Sequence, residues 1–218
     1  MTTTMTGTTT ANDKFAIIVL AAGQSSRLGQ MKQLITIQEK SLLEVQLTKA
    51  LTLTHQVYCV LGFEAKQLQT HIDHLPIKII INEQWSAGMA TSIAAGVKAL
   101  ANDISAVMIV LVDQWQLTAT DLFTIESCWQ NNPHAIVVAS ALSNVTAGGK
   151  EKMGPPVVFP QHYFSELEQL SGQEGAKPLL KKHQQMLLKV ELAHAFIDLD
   201  TPEQLTEMNK VLSANLTS

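Results

Sequence analysis

"FAIIVLAAGQSSRLGQMKQL", Phe15 to Leu34, decides how the rest of the 218-residue chain is read. Its first six residues are apolar without alternation, which suits a strand buried on both faces, as in a parallel sheet covered by helices. The run passes into small residues and then into Ser25, Ser26, Arg27, Gly29 and Lys32. A turn of this kind between a strand and a helical segment can aim backbone N–H groups at an anion. Gly23 lets the backbone come close, Arg27 offers a forked donor for phosphate oxygens, and Lys32 supplies a point charge. An ordinary strand-to-helix turn with solvated cations would use the same residues. Two phosphate motifs are excluded. The dinucleotide fingerprint G-x-G-x-x-G is absent, and the G-x-x-x-x-G-K-[ST] loop fails because Gly29 lies one place too far on and Gln33 follows the lysine.

Working outward, "QVYCVLG", "IKIIIN", "AVMIVLVD" and "HAIVVAS" read as further strands. Between them "SLLEVQLTKALTL", "EAKQLQTHID", "MATSIAAGVKAL" and "TATDLFTIESCWQ" read as helices, the first opened by a Ser41–Glu44 capping box. This alternation predicts an α/β fold: a three-layer, Rossmann-like, mostly parallel sheet with helices on both faces. The rhythm changes after Ala141. "SNVTAGGKEKMGPP", residues 143–156, is a polar stretch suited to a flap, and "VVF" a short strand. "YFSELEQLSGQEGAKPLLKKH" reads as helix, glycine break and helix, and "MLLKVEL" and "AHAFIDL" as short strands, antiparallel at the sheet edge. "DTPEQLTEMNKVL" closes as a helix, with Thr201 as cap, Pro202 in the first turn and Gln204 completing the cap.

With 46% hydrophobic residues the chain can bury a sizeable core, and residues 14–218 are expected to form one domain. The threonine-rich start, residues 1–13, lacks the basic and apolar regions of a signal peptide and reads as a disordered leader. A formal net charge of -4 offers no basic field for nucleic acid, so an anionic ligand needs local cations or a metal. Cys59 and Cys128 read as reduced thiols, and no apolar run has the length of a membrane span. The expectation is a soluble, cytoplasmic protein that binds neither membrane nor nucleic acid.

Asp113 ends the most apolar strand, where open α/β sheets place their ligand crevice. A carboxylate there suits Mg²⁺, although a helix cap or a solvated strand end would look the same. Asp198 and Asp200 in "IDLDTP" project to one side if the segment is extended, so either could join the ion or meet a substrate. Asp200 could instead support the cap at Thr201. No Ser-His-Asp or Cys-His grouping stands out, and His71 and His74, three apart on a helix, have no third ligand nearby in sequence.

"LAAGQSSRLGQMKQL" resembles the signature L-A-A-G-x-S-x-R-x-G-x-x-K of the molybdenum cofactor cytidylyltransferase family, within the MobA-like nucleotidyltransferases. "NEQWSAGMATSIAAG", "LVD" at 111–113, "GPPVVF", "LSGQEGAKPLL" and "DLDTPEQL" resemble further family segments, so the likeness runs from Phe15 to Val211. The chain departs from the family pattern at Trp115, where proline is usual, and at Gln173 and Lys177 in a block that is usually G-D-x-G-A-R.

The resemblance implies a nucleotide-diphospho-sugar transferase-like fold. The reaction it implies is transfer of a nucleotidyl group, in which an acceptor phosphate attacks the α-phosphorus of a nucleoside triphosphate and pyrophosphate leaves. It places Leu20, Ala21, Ala22, Gly23, Ser25, Ser26, Arg27, Lys32, Gly88, Met89 and Ser92 around the nucleotide, with Arg27, Lys32 and Asp113 catalytic. Asp113 and Asp200 would hold Mg²⁺, and Asp198, Gly154 and Pro155 would meet the acceptor. Ala22 in place of glycine narrows the room for a purine and favours CTP. The implied acceptor is a molybdopterin cofactor and the implied partner a molybdoenzyme. The alternatives are GTP as donor, a sugar or alcohol phosphate as acceptor, and a non-catalytic carrier of molybdenum cofactor.

Overall fold

The structure, a computed structural model, describes residues 14–142 and 151–215. The expected leader, 1–13, and the stretch 143–150 of the expected flap lie outside the described residues.

Strand β1 (Phe15–Leu20) is fully buried along its length. A hairpin of β2 (Thr36–Ile37) and β3 (Lys40–Ser41) follows the glycine loop, and α1 (Leu42–Leu51) follows it, capped by Ser41 accepting from the Glu44 N–H. The chain continues through β4 (Val57–Leu61), α2 (Ala65–Ile72), β5 (Lys78–Ile81), α3 (Met89–Lys98) and β6 (Ala106–Leu111). Then come α4 (Ala119–Asn131), β7 (Ile136–Leu142), β8 (Glu151–Pro160), α5 (Phe164–Leu167), α6 (Lys177–Lys182), β9 (Leu187–Glu191) and α7 (Pro202–Asn215).

The large strands form one seven-stranded sheet in the order β5-β4-β1-β6-β8-β7-β9. Only β8 runs against the others: β6 and β7 pair with it antiparallel, and the remaining pairs are parallel. Alternate residues of β1 serve two cores. Phe15, Ile17 and Val19 pack with α1, α2, α4 and α7, while Ala16, Ile18 and Leu20 pack with α3, α5 and α6. A strand that must feed apolar side chains to both layers cannot alternate in polarity, which is why its sequence is so uniform. Gly96 lets α3 lie close on the sheet: a Cβ there would be 3.0 Å from both Ile18 and Val60.

Three expectations for the second half are corrected. Residues 151–156, expected in a flap, belong to β8, a ten-residue strand. Their Gly-Pro-Pro sequence reads as a break, but it lies where the β7–β8 register shifts between Val138 and Ala139, and such a bulge spares proline the ladder bond it cannot donate. The segment 193–199, expected as a strand, instead has a 3-10 turn over Ala193–Phe196 and no regular structure beyond it. And β9, expected antiparallel, pairs parallel with β7.

The topology fixes where a site can lie. From β1 the chain moves outward to β4 and β5, then crosses back to β6 on the other side of β1. The carboxyl ends of β1 and β6, paired at Leu20 and Leu111, therefore flank the switch point at which doubly wound sheets open a crevice.

Candidate active site

The loop leaving β1 is shaped by Gln33, a buried side chain whose importance nothing in the sequence signals. Its amide donates to the carbonyls of Ala21 (2.9 Å) and Gly23 (2.8 Å). Ser25 takes a left-handed conformation, φ 56°, and its hydroxyl accepts from the Lys32 N–H. The N–H groups of Gly23, Gln24, Ser25 and Ser26 donate to no protein acceptor among the described residues. A Cβ built on Gly23 would meet nothing within 4 Å, so the space beside that residue is open. The loop thus has the exposed donors of an anion cradle.

Lys32 turns back from this loop into the molecule. Its Nζ donates to Asp113 Oδ2 at 2.6 Å and Asp200 Oδ1 at 2.7 Å. Arg27, mostly exposed, donates to the other oxygen of Asp200 at 2.9 Å. Burial alone would lower the lysine pKa, but the two carboxylates outweigh it and hold the ammonium above its usual value. At Asp200, burial pushes the pKa up, and Lys32 and Arg27 outweigh it to leave the carboxyl below its usual range. At Asp198, burial comes first and the charges of Asp113 and Asp200 add to it, pushing the pKa up to about 6. Asp198 therefore feels the charge of Asp200 in its own segment and of Asp113 from a distant one.

Asp113 reaches the site as the last residue of a short extension beyond β6, with Val112 N–H bonded to the Leu20 carbonyl. Asp200 arrives by another route: the Leu199 N–H donates to the Asp113 carbonyl at 3.2 Å, stitching the irregular 197–200 segment to β6. The cap of α7 is made by Thr201 and Gln204, with Gln204 accepting from the N–H groups of Asp200 and Thr201. The side chain of Asp200 is thereby left to Lys32 and Arg27 and takes no part in the cap. Alternation would set Asp198 and Asp200 on one side only of a strand, and residues 197–200 form none. They gather with Asp113 through tertiary bonds instead.

Two cavities meet at the switch point. One, about 340 Å³, is lined by Leu20, Ala21, Ala22, Gly23, Lys32, Gly88, Met89, Ser92 and Asp113, together with Gln24, Gln33, Trp85 and Gln173. The other, about 450 Å³, is lined by Gly154, Pro155 and Asp198, with an apolar floor from Ile109, Val157, Phe159 and Leu180 and with Lys152, Glu174 and Lys177. Leu20, Met89 and Leu111 belong to both walls. Ser25, Ser26, Arg27 and Asp200 line neither cavity.

The wall of the first cavity is set by close backbone packing. A Cβ on Gly88, φ 124°, would lie 2.2 Å from the Gly172 carbonyl oxygen, and Ala90 N–H donates to that same oxygen. This contact brings Gln173 to the first cavity and Glu174 to the second. Asn82 donates to the hydroxyls of Thr91 and Ser92, both at 2.9 Å, fixing the first turn of α3. Trp115, one of the departures from the family pattern, is buried against the α1–α4 layer and lines neither cavity.

Among the described residues Asp113 Oδ1 is buried without a hydrogen-bond partner, although Oδ2 is bound by Lys32. An orphaned carboxylate oxygen beside a second carboxylate suits a small divalent cation, and Mg²⁺ needs few protein ligands because it keeps waters and phosphates in its shell. Among the described residues no group of three or more His, Cys, Asp or Glu side chains forms a ready metal cage. A cation here would rest on Asp113 and Asp200. His71 bonds to the Gln67 carbonyl and His74 lies 3.7 Å from Glu44. Among the described residues no helix is long and apolar enough to cross a membrane.

Comparison with known proteins places this geometry in context. Residues 17–186 match the MobA-like NTP transferase domain. Nicotine blue oxidoreductase of Paenarthrobacter nicotinovorans is 27% identical over 193 residues, 86% of this chain and 93% of that protein. Molybdenum cofactor cytidylyltransferase of Escherichia coli is 31% identical over 84 residues, 38% of this chain and 44% of that protein. Among solved structures, the homologue of Mycobacterium tuberculosis rv0371c from Mycobacterium sp. strain JC1 superposes with a TM-score of 0.76 at 21% identity, covering 92% of this chain and 98% of the other.

Proposed function

Because the chain belongs to the MobA-like NTP transferase family, we propose that it transfers CMP from CTP to the terminal phosphate of a molybdopterin-type acceptor, releasing pyrophosphate. The observation that carries the reading is the junction at the switch point. An open cradle of N–H donors, a lysine and orphaned carboxylate oxygen, and a second cavity with an apolar floor meet within one crevice.

The two reactants are polyanions, so catalysis is mainly alignment and charge neutralisation. The Gly23–Ser26 amides would receive the triphosphate. Lys32 has three N–H donors and spends two on Asp113 and Asp200, leaving one for a phosphate oxygen. Arg27, at the rim, would steady the departing pyrophosphate. Ala22, Gly88, Met89 and Ser92 would bound the base and ribose, with the Ala22 methyl narrowing the pocket toward a pyrimidine. Gly154, Pro155 and Asp198 would meet the acceptor from the second cavity, whose apolar floor suits a flat ring system. Asp113 and Asp200 would hold Mg²⁺, which when bound neutralises phosphate charge and helps align attack on the α-phosphorus. The setting of this work would be the cytoplasm, with a molybdoenzyme as the recipient of the product.

The name of the Paenarthrobacter relative points to oxidoreduction. This chain has no G-x-G-x-x-G fingerprint to support that chemistry with a dinucleotide. The test is pyrophosphate release in Mg²⁺ from CTP, GTP, ATP and UTP, each against molybdopterin cofactor and a panel of sugar and alcohol phosphates. Release from CTP with molybdenum cofactor is expected. Release with another pair moves the assignment within the family, and tight CTP binding without release from any pair favours a carrier.

A further inference from the structure

Beside Asp113 stands Gln114, a buried neutral side chain. Gln114 is about 1% exposed, and its side-chain amide is bonded at both ends. Oε1 accepts from the Leu111 N–H at 3.0 Å, where β6 ends. Nε2 donates to the Pro155 carbonyl at 2.6 Å, in the β8 bulge, and to the Ala195 carbonyl at 2.7 Å, in the turn before Asp198. The backbone of the same residue is held from behind, since Gln46 of α1 donates to its carbonyl at 2.8 Å.

One donor-facing oxygen and two acceptor-facing protons are what a primary amide offers, and only one orientation of the amide satisfies all three neighbours. No other neutral side chain supplies this set at this reach. Asparagine is one methylene shorter, glutamate would face two carbonyl oxygens without a proton to give, and methionine would leave both carbonyls without this donor, the Ala195 carbonyl in a buried setting. The three neighbours are not a random sample of the core. Leu111 leads to Asp113, Pro155 lines the second cavity, and Ala195 leads through an irregular segment to Asp198 and Asp200. That segment has no regular secondary structure of its own from 197 to 200, so its position depends on such ties.

We propose that Gln114 is a positioning residue that holds the acceptor side of the crevice, Pro155 and the segment carrying Asp198, in register with Asp113. The proposal rests on the nucleotidyl-transfer reading for its purpose and on the three bonds for its substance. It acts through the groups it binds, while Leu20 to Ser26, on the far side of β6, need no help from it. Gln114→Met should therefore split the two substrates. CTP affinity should stay at the wild-type value, while kcat/KM for the acceptor should fall by about 100-fold, the cost of misplacing reacting groups by roughly 1 Å.

The test uses the full-length protein, wild type, Gln114→Met and Gln114→Glu, with hydrogen–deuterium exchange, calorimetric CTP titration and pyrophosphate release. In both variants the peptides covering 153–158 and 192–200 should exchange faster, while those of β1 and α1 keep their wild-type protection. Exchange that is unchanged, or faster throughout the chain, overturns the tie. Local loosening with an unaltered acceptor kcat/KM, or with CTP affinity falling in step, overturns the positioning role. If wild type releases no pyrophosphate from any nucleotide, the transferase reading fails and the positioning role falls with it, whereas the exchange data still decide whether the amide holds the two segments.

Discussion

Replacing Lys32 with methionine removes a cation that bridges two carboxylates of the site. The side chains are 11% exposed for Lys32, 16% for Asp113 and 28% for Asp200, so the pairs sit below the surface. Removing one member of a buried pair typically costs about 3–5 kcal/mol, because the charge left behind is uncompensated. Asp200 would keep Arg27 and some water, which brings its share toward the ~1 kcal/mol of an exposed pair. Asp113 would keep no hydrogen-bonded cation among the described residues, since its other oxygen is already orphaned there. The expected loss at neutral pH is about 2–4 kcal/mol, or roughly 5–15 °C in Tm for a chain of this size.

The pH dependence gives a sharper test. Burial raises the Asp200 pKa, but Lys32 and Arg27 outweigh it, so the folded value lies below the unfolded one. Its stabilisation is full above the ordinary aspartate pKa of about 3.9 and fades as pH falls through the lower folded value. In the variant Asp200 has lost Lys32 and takes up its proton at higher pH than in wild type. The gap between wild type and Lys32→Met should therefore narrow as pH falls from neutral into the carboxylate range. Urea denaturation of both proteins across that range measures it. Millimolar Mg²⁺ should also stabilise the variant more than wild type, because no ammonium competes for the carboxylates. A variant as stable as wild type at neutral pH, or a gap that widens on acidification, refutes the reasoning.

Asp113→Asn should fold normally and lose Mg²⁺-dependent pyrophosphate release by at least about 100-fold, and normal turnover would remove Asp113 from the metal site. Ala22→Gly opens the wall of the first cavity and should shift the CTP-to-GTP ratio of kcat/KM toward GTP; an unchanged ratio sinks the steric argument for CTP. Lys49 of α1 donates to the carbonyls of Leu117 (2.5 Å) and Trp115 (3.4 Å) behind Asp113, and burial, opposed in part by Asp121, lowers its pKa to about 8. The unfolded chain then holds its proton to higher pH, so wild-type stability should rise as pH climbs from about 8 toward the unfolded lysine value of about 10.4. Lys49→Met should lack that rise in a pH series of denaturation curves, and an identical slope in both proteins would show that the group is not buried as described.

How much of this was legible in the sequence depended on whether the deciding physics was local. β1 was readable because burial on both faces leaves an unmistakable run of apolar residues, and the capping residues Ser41, Thr201 and Gln204 act within a few positions of themselves. The Val157–Phe159 end of β8 was readable, but its first half was not, because Gly154, Pro155 and Pro156 signal a break unless a partner strand offers a bulge, and only the paired β7 reveals that it does. The strand expected at 193–199 failed for the opposite reason. Ala195 and Leu199 are buried by neighbours rather than by a ladder, Ile197 is exposed, and the 3-10 turn is held by the amide of a residue some eighty positions away.

The charged members of the site stood out individually, because Arg27, Lys32, Asp113 and Asp200 are few among so many apolar neighbours. What the sequence did not show was that the cations and carboxylates bind each other. That pairing adds to the phosphate-binding role proposed for Lys32: it is also the counter-ion that keeps Asp113 and Asp200 together. The two glutamines that shape the site were silent for a physical reason. An amide carries no charge and follows no spacing rule, and its value lies wholly in which carbonyls face it: Ala21 and Gly23 for Gln33, Pro155 and Ala195 for Gln114. In a crevice built from irregular segments, neutral amides fix the backbone and charged groups do the chemistry, so the residues that arrange such a site are the ones a motif search is least equipped to find.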